Sequence, residues 1–211
     1  MKKFNAFTLA EVLITLGVIG VVAAMTLPVV ISNYNKKVTA VRLKKLYTTL
    51  SQAIILSEVN NGEHKYWEYG DFSHHRQADI MEAWWNKYLK DYIPNDMVKQ
   101  VVMGDISLSG KDSYTVILRD GSAIEIEALP GDYARIILRT RYKDRNEGIA
   151  GKDYFLIFLF KDDKLLKTSA EVYSNDKLVE NCLNKLKKGS ACLELILRNG
   201  WEIPDNYPLK L

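Results

Sequence analysis

The chain has 211 residues, with 29 Lys and Arg against 26 Asp and Glu and a formal net charge of +3. That balance gives no electrostatic case for nucleic acid or acidic lipid as the main partner. Once a membrane segment is set aside, the remaining length suffices for one globular domain with its own core.

In chain order the first signal is residues 1–31. A short head carries Lys2 and Lys3, and from Phe7 to Ile31 the only ionisable side chain is Glu11. An apolar run of about twenty residues crosses a hydrocarbon layer of roughly 30 Å. Lys2 and Lys3 on the short side predict a cytoplasmic N-terminus, with the bulk of the chain on the other side. The run is too long for a secretory signal peptide, whose apolar stretch is roughly 7–15 residues. A plain single-pass anchor accommodates the length but not Glu11, because a carboxylate in a membrane costs at least about 2.5–3.5 kcal/mol.

Lys2-Lys3-Phe4-Asn5-Ala6 followed by Phe7-Thr8-Leu9-Ala10-Glu11-Val12-Leu13-Ile14 resembles the processing site of type IV pilins and of the pseudopilins of type II secretion systems. The resemblance implies that a prepilin peptidase cuts between Ala6 and Phe7, on the cytoplasmic side, and methylates the new amine of Phe7. Glu11 becomes the fifth residue of a mature chain of 211 − 6 = 205 residues. Ala6 stands where the family usually has Gly, and it keeps the small side chain. Pro28 falls where many members carry a helix-bending proline. In a filament, Glu11 of an incoming subunit would pair with the Phe7 amine of a neighbour, removing two charges from lipid together. Breaking one partner of such a buried pair costs about 3–5 kcal/mol. The partners implied are the peptidase, other pilin or pseudopilin subunits, an inner-membrane platform protein and an assembly ATPase. The location implied is the inner membrane, single pass through residues 7–31, with an extracytoplasmic C-terminal domain and a filament after assembly.

Beyond Pro28 the helical pattern continues. Val38, Val41, Leu46 and Leu50, and Leu43, Tyr47, Leu50 and Ile54, recur at spacings of three to five. Lys36, Lys37, Arg42, Lys44 and Lys45 take much of the remaining surface. One helix from about Phe7 to about Val59 is predicted, apolar all round in its first half and amphipathic in its second. Pro28 bends it, Gly17 and Gly20 weaken it locally, and Asn60-Asn61-Gly62 stops it. The amphipathic stripe is expected to pack on the domain.

In residues 63–100, His64, His74 and His75 lack carboxylates or cysteines at metal-site spacing, and a solvated loop is expected. Met81, Trp84, Trp85, Tyr88 and Tyr92 lie on one face of a helix between Gln77 and Tyr92. They read as core, with a carbohydrate or partner surface as the alternative; Pro94 ends the segment. From Ser113 the period changes to two. Tyr114–Leu118 and Ser122–Glu127 flank Asp120-Gly121, a hairpin signal, and Glu125 and Glu127 predict one wet face. Pro130-Gly131-Asp132 is a turn. Tyr133–Tyr142 reads as a third strand, with Arg135, Arg139 and Arg141 on one face. Asp153–Phe160 reads as a fourth, apolar on both faces and central, turning at Asp162-Asp163. The loop from Tyr142 to Gly148 partly matches one that many pilin-like proteins carry there. Asp144, Asn146 and Glu147 offer oxygens for calcium, but a plain turn is the expectation.

Leu178–Lys188 is predicted as a helix ending at Gly189. Cys182 and Cys192 in an oxidising compartment are expected to form a disulfide, worth roughly 2–3 kcal/mol. The alternatives are a metal pair without a nearby His and two free thiols. Residues 199–208 are similar to the C-termini of a group of bacterial pilin-like proteins. Pro204 and Pro208 forbid regular structure there, and Trp201, Ile203 and Tyr207 are expected to pack on the domain. Lys185, Lys187 and Lys188 read as solvated charges, with a DNA-contacting patch as the alternative.

The expected fold is α+β and pilin-like: a long N-terminal helix on a small antiparallel sheet. The expected division is a leader (1–6), a transmembrane segment (7–31), its amphipathic continuation (32–60) and a globular domain (61–211). No nucleophile–base pair, phosphate loop or metal cluster emerges, so neither catalysis nor a cofactor is expected. The functional expectation is a minor pilin or pseudopilin that assembles into a type IV pilus or type II secretion pseudopilus. A membrane-tethered binding module that does not polymerise, and a tethered enzyme, are the alternatives.

Overall fold

Helix α1 (Leu9–Asn61, 53 residues) runs unbroken through Pro28. In this computed structural model the described residues are 8–69, 78–106, 112–128, 132–142, 148–162, 164–184 and 188–211. At about 1.5 Å per residue α1 is roughly 80 Å long. It stops as expected at Gly62, whose φ of 74° lies in the left-handed region that glycine tolerates. In its second half Ala40, Leu43, Leu46, Leu50, Ala53, Ile54 and Ser57 are buried. They recur at three and four, the spacing of one helix face. Val41 belongs to a different face and is 68% exposed.

A five-stranded antiparallel sheet follows, its strands adjacent in sequence order: β1 (Val98–Ile106), β2 (Asp112–Leu118), β3 (Ala123–Ala128), β4 (Tyr133–Arg139) and β5 (Tyr154–Phe160). Three of the four expected strands coincide closely with β2, β3 and β5. The third, expected to reach Tyr142, ends at Arg139 as β4. The strand β1 lies outside the sequence expectation. Its pairing with β2 shifts register between Val98 and Gln100 and again between Met103 and Asp105. Such irregularities erase the period-two signal.

The inner face carries Val116 and Leu118, Ile124 and Ile126, Ile136 and Leu138, and Phe155, Ile157 and Leu159. All are buried in one core with the α1 stripe and with α2 (Ala78–Tyr88). The outer face overturns the expectation of a wet surface. Glu125 and Glu127 are 2% and 3% exposed. Glu125 accepts from Arg139 Nε at 2.5 Å, and Glu127 pairs with Arg135 at 2.8 Å. Two of the three arginines expected on one face, Arg135 and Arg139, thus neutralise the acids of β3, as cross-strand opposite charges do, whereas Arg141 lies beyond β4 and is exposed.

β5 also departs from expectation, lying at the sheet edge and not at its centre. Its outer-face Phe158 and Phe160 stack on each other and meet Tyr133 edge-on and tilted, and Phe158 pairs its backbone with Lys167. An edge covered in this way has less need of charged or polar residues.

The C-terminal region holds two helices where one was predicted: α3 (Asn175–Leu183) and α4 (Lys188–Arg198). Gly189 lies inside α4 and does not end a helix. A Cβ there would overlap Leu156 of β5, so this glycine permits close helix–strand approach. Cys182 on α3 and Cys192 on α4 form the disulfide, with Cα atoms 4.8 Å apart.

The spine is tied to the β2–β3 hairpin by Lys45, whose Nζ lies 2.7 Å from Asp120 Oδ2. Ser122 donates to Asp120 Oδ1 from its hydroxyl at 2.5 Å and from its amide at 3.0 Å. Burial pushes the Asp120 carboxyl up, but Lys45 and Ser122 outweigh it and hold the carboxyl at about 2. The folded value is below the unfolded one. This contribution is therefore present above about pH 4 and is lost as pH falls towards 2. Discounted for solvent screening, it amounts to about 1 kcal/mol. Thermal unfolding of the chain in detergent between pH 5 and 2 should show it, and Asp120→Asn should remove that part of the acid dependence.

Candidate assembly site

At the head of α1, Thr8 is the N-cap and Glu11 the third helical residue. The Thr8 hydroxyl oxygen accepts from Glu11 N–H at 3.2 Å. Glu11 Oε2 accepts from Thr8 N–H at 2.8 Å and from the Thr8 hydroxyl at 2.9 Å. This reciprocal capping box satisfies helix-end donors that would otherwise stay unpaired. The signal stands in the sequence as Thr-x-x-Glu ahead of an apolar run, but weighing Glu11 only by its insertion cost passes over it. Ala6 and Phe7, the expected processing site, lie outside the described residues.

From Leu9 to Ile31 no side chain is buried, and Leu9, Ile14 and Met25 are 81%, 67% and 73% exposed. This makes α1 long and apolar enough to cross a membrane. Apolar surface on this scale marks a membrane or protein contact. The Thr15 and Thr26 hydroxyls donate to the carbonyls of Val12 and Val22 at 2.9 and 3.0 Å, so neither needs water.

The aromatic stripe caps the far end of α1. Trp67 stacks on Tyr88 with ring centroids 4.4 Å apart, and its indole N–H donates to Gly62 O at 2.8 Å. Trp84 meets Trp67 and Tyr69, and Trp85 meets Tyr114. Met81, Trp84, Trp85 and Tyr88 are buried, as the core reading expected. Tyr92 is half-buried, and its hydroxyl accepts from Asn60 at 3.0 Å.

His64 corrects the expectation of a solvated loop. It is 5% exposed, and its Nδ1 lies 2.5 Å from Glu58 Oε1. The same carboxylate accepts from the His64 backbone at 2.9 Å. A histidine close behind the end of a helix folds back onto it, and nothing in the local pattern of residues signals this. His74 and His75 lie outside the described residues, as do Asp144, Asn146 and Glu147 of the calcium alternative. Among the described residues no group of three His, Cys, Asp or Glu is placed to hold a metal ion. Of the lysines weighed for a DNA patch, Lys185 and Lys187 also lie outside.

The C-terminal tail is pinned to both the disulfide and the spine. The Tyr207 hydroxyl donates to Gly151 O, and Gly151 (φ 78°) lies so close to Cys192 that any Cβ would overlap its sulfur. Trp201 adopts φ 70°, strained for a residue with a side chain, and sets its ring 4.9 Å from Tyr47 of α1. Trp201 and Ile203 pack half-buried on the core and Tyr207 is buried, as expected.

A family model described as "Family of unknown function (DUF6613)" matches residues 29–211. The chain belongs to this family. A second model, the prokaryotic N-terminal methylation motif, matches residues 1–27. The two matches divide α1 between them: the motif covers the capped apolar head, and the family covers Pro28's far side and the whole domain. The head is therefore of the type IV pilin and pseudopilin kind, and the family's domain rides on a membrane-capable helix. No curated protein and no solved structure matches the chain.

The core reading of the stripe predicts that Trp84→Ala and Trp85→Ala each destabilise the domain by about 3–5 kcal/mol. Near-ultraviolet circular dichroism through thermal unfolding measures this. Unchanged midpoints would instead mark the stripe as a ligand surface.

Proposed function

We propose that this chain is a pilin-like structural subunit, a minor pilin or a pseudopilin, that assembles into a type IV pilus or a type II secretion pseudopilus. The observation that carries the reading is the methylation motif on residues 1–27, coinciding with a capped helix whose apolar half is exposed along its length among the described residues. In this reading a prepilin peptidase cuts between Ala6 and Phe7 and methylates Phe7. Residues 7–31 then hold the subunit in the inner membrane, with the N-terminus cytoplasmic and residues 61–211 extracytoplasmic. An oxidising compartment is consistent with the Cys182–Cys192 bond. Pro28 bends α1 where the lipid-soluble half gives way to the amphipathic half.

Assembly moves the apolar half of α1 from lipid into a bundle of like helices. There Glu11 meets the Phe7 amine of a neighbour. The capping box gives Glu11 polar partners in the isolated subunit, which lowers the cost of holding a carboxylate at the membrane before a neighbour arrives. The platform protein and the cytoplasmic ATPase drive extension and retraction; this subunit supplies no chemistry of its own.

Glu11→Ala tests the reading. The variant should lose its six-residue leader at close to the normal rate, because the cut lies ahead of the change. Its incorporation into sheared filaments should fall at least tenfold, the order expected when one partner of a buried ion pair is removed. Normal incorporation would remove the pairing from the account.

A further inference from the structure

A groove of about 640 Å³ runs between α1 and the C-terminal tail, walled by the helix within residues 33–44 and by the tail within residues 200–205. Its floor is apolar, with Ala40 and Val41 from the helix and Trp201 and Ile203 from the tail. Val41 is the exposed residue that the buried stripe of α1 leaves out. The rim carries both signs: Lys36, Lys37 and Lys44 on the helix side, Glu202 and Asp205 on the tail side. Lys36 and Asp205 approach to 4.0 Å across the mouth. Among the described residues Lys37, Lys44 and Glu202 have no partner of opposite charge. The tail is held in place under strain. Gly200 and Trp201 both adopt left-handed φ, 68° and 70°, and Trp201 N–H donates to Ile196 O at 2.9 Å. A residue with a side chain kept in that region is over-determined by its surroundings, as at sites that clamp a ligand.

The level of the groove decides what enters it. It opens at Asn33, roughly 3 Å past Ile31 and the end of the apolar run. That run, residues 7–31, is roughly 37 Å long as a helix. Copies anchored in one membrane are parallel, so a copy raised by roughly 39 Å has drawn its whole run out of the hydrocarbon. Its residues 7–18 then lie level with residues 33–44 of the copy still anchored, and its Glu11 lies level with Lys37. The head is the charged end of the run. In the proposed reading it carries the Glu11 carboxylate and, four residues away, the Phe7 amine. The described side-chain bonds of Glu11 use Oε2 alone, which leaves Oε1 for a cation. An ionised carboxylate has about four acceptor sites, so Thr8, a neighbour's amine and Lys37 can share it.

We propose that this groove is the seat for the processed head of a second copy of this chain, the earlier copy that has just left the lipid. Lys37 faces Glu11, the tail acids face the Phe7 amine, and the apolar side chains between them cover the floor, as a helix does in a groove. The contact joins two different surfaces of the chain. It therefore leaves each copy free to seat the one before it and to be seated by the one after, as an open filament requires. The inference rests on the assembly reading of the proposed function and adds the surface that receives the head beyond the membrane.

Disulfide trapping between two co-expressed full-length copies tests it. One copy carries Val41→Cys. The other carries a single cysteine in turn at Leu13, Ile14, Thr15 and Leu16, the helical turn level with Val41 in the seated arrangement. Sheared filaments should contain the linked pair from at least one of the four. Adding Lys37→Glu to the first copy sets two carboxylates together and should lower linkage at least about tenfold, with circular dichroism confirming that the domain stays folded. Unchanged linkage in Lys37→Glu would overturn the charge match on which the seat depends. Equal linkage from Thr48→Cys, about two turns beyond Val41 on the same helix face, would show plain helix contact and overturn the groove. Filaments that contain the chain but no linked pair would also overturn it and leave the assembly reading standing. Absence of the chain from filaments would overturn both, so the two failures are read apart.

Discussion

Burial of one helical stripe, Leu43, Leu46, Leu50 and Ile54, against the inner face of the sheet is the contact on which everything else depends. Each is fully buried, and such a side chain contributes about 1.5–3 kcal/mol relative to exposure. Four of them give roughly 6–12 kcal/mol, the size of a typical domain's whole net stability. Without that stripe the sheet would lose the wall that covers it and α1 would be a free rod. With it, a helix of 53 residues becomes a single lever: one half fixed in a domain, the other half bare. The aromatic cap at Gly62, the Lys45–Asp120 tie and the Trp201–Tyr47 contact hold the same helix at other points along its length.

The bare half draws its meaning from the same division. Apolar side chains on every face leave water no good site, so this half belongs in lipid or among other helices. A carboxylate at its head is costly in either place unless it is bonded, and Thr8 bonds it within the chain. The domain below the sheet is closed by a different set of constraints. The disulfide, the close passage of Gly151 and the Tyr207 hydroxyl lock α3, α4 and the tail into one corner. That corner is remote in sequence from the spine but rests on it through Trp201.

Much of this was legible in the residues themselves. The membrane-capable helix, its amphipathic continuation, the Asn-Asn-Gly stop, the Asp-Gly hairpin, the aromatic stripe and the disulfide follow from composition and spacing. What escaped did so for identifiable reasons. β1 carries two register shifts, so its alternation is broken. Glu125 and Glu127 alternate with Ile124 and Ile126 like any solvated face, and only the register between β3 and β4 brings Arg135 and Arg139 within reach. Gly189 has the composition of a helix stop but serves helix–strand approach to Leu156. β5 has the apolar content of a central strand because its half-buried outer-face Phe158 and Phe160 pack on each other and on Tyr133 of the neighbouring strand. Each of these depends on contacts between distant parts of the chain. At the head, by contrast, the capping box is local and was readable from Thr8 and Glu11 alone.

The central claim is that the capped apolar head is a processed pilin-type N-terminus and not a simple anchor. An intact-mass and fragment spectrum of the chain extracted from membranes tests it most directly. The account predicts a 205-residue chain, from 211 − 6, beginning with N-methylated Phe7. A chain that still begins at Met1 in the membrane fraction would contradict it.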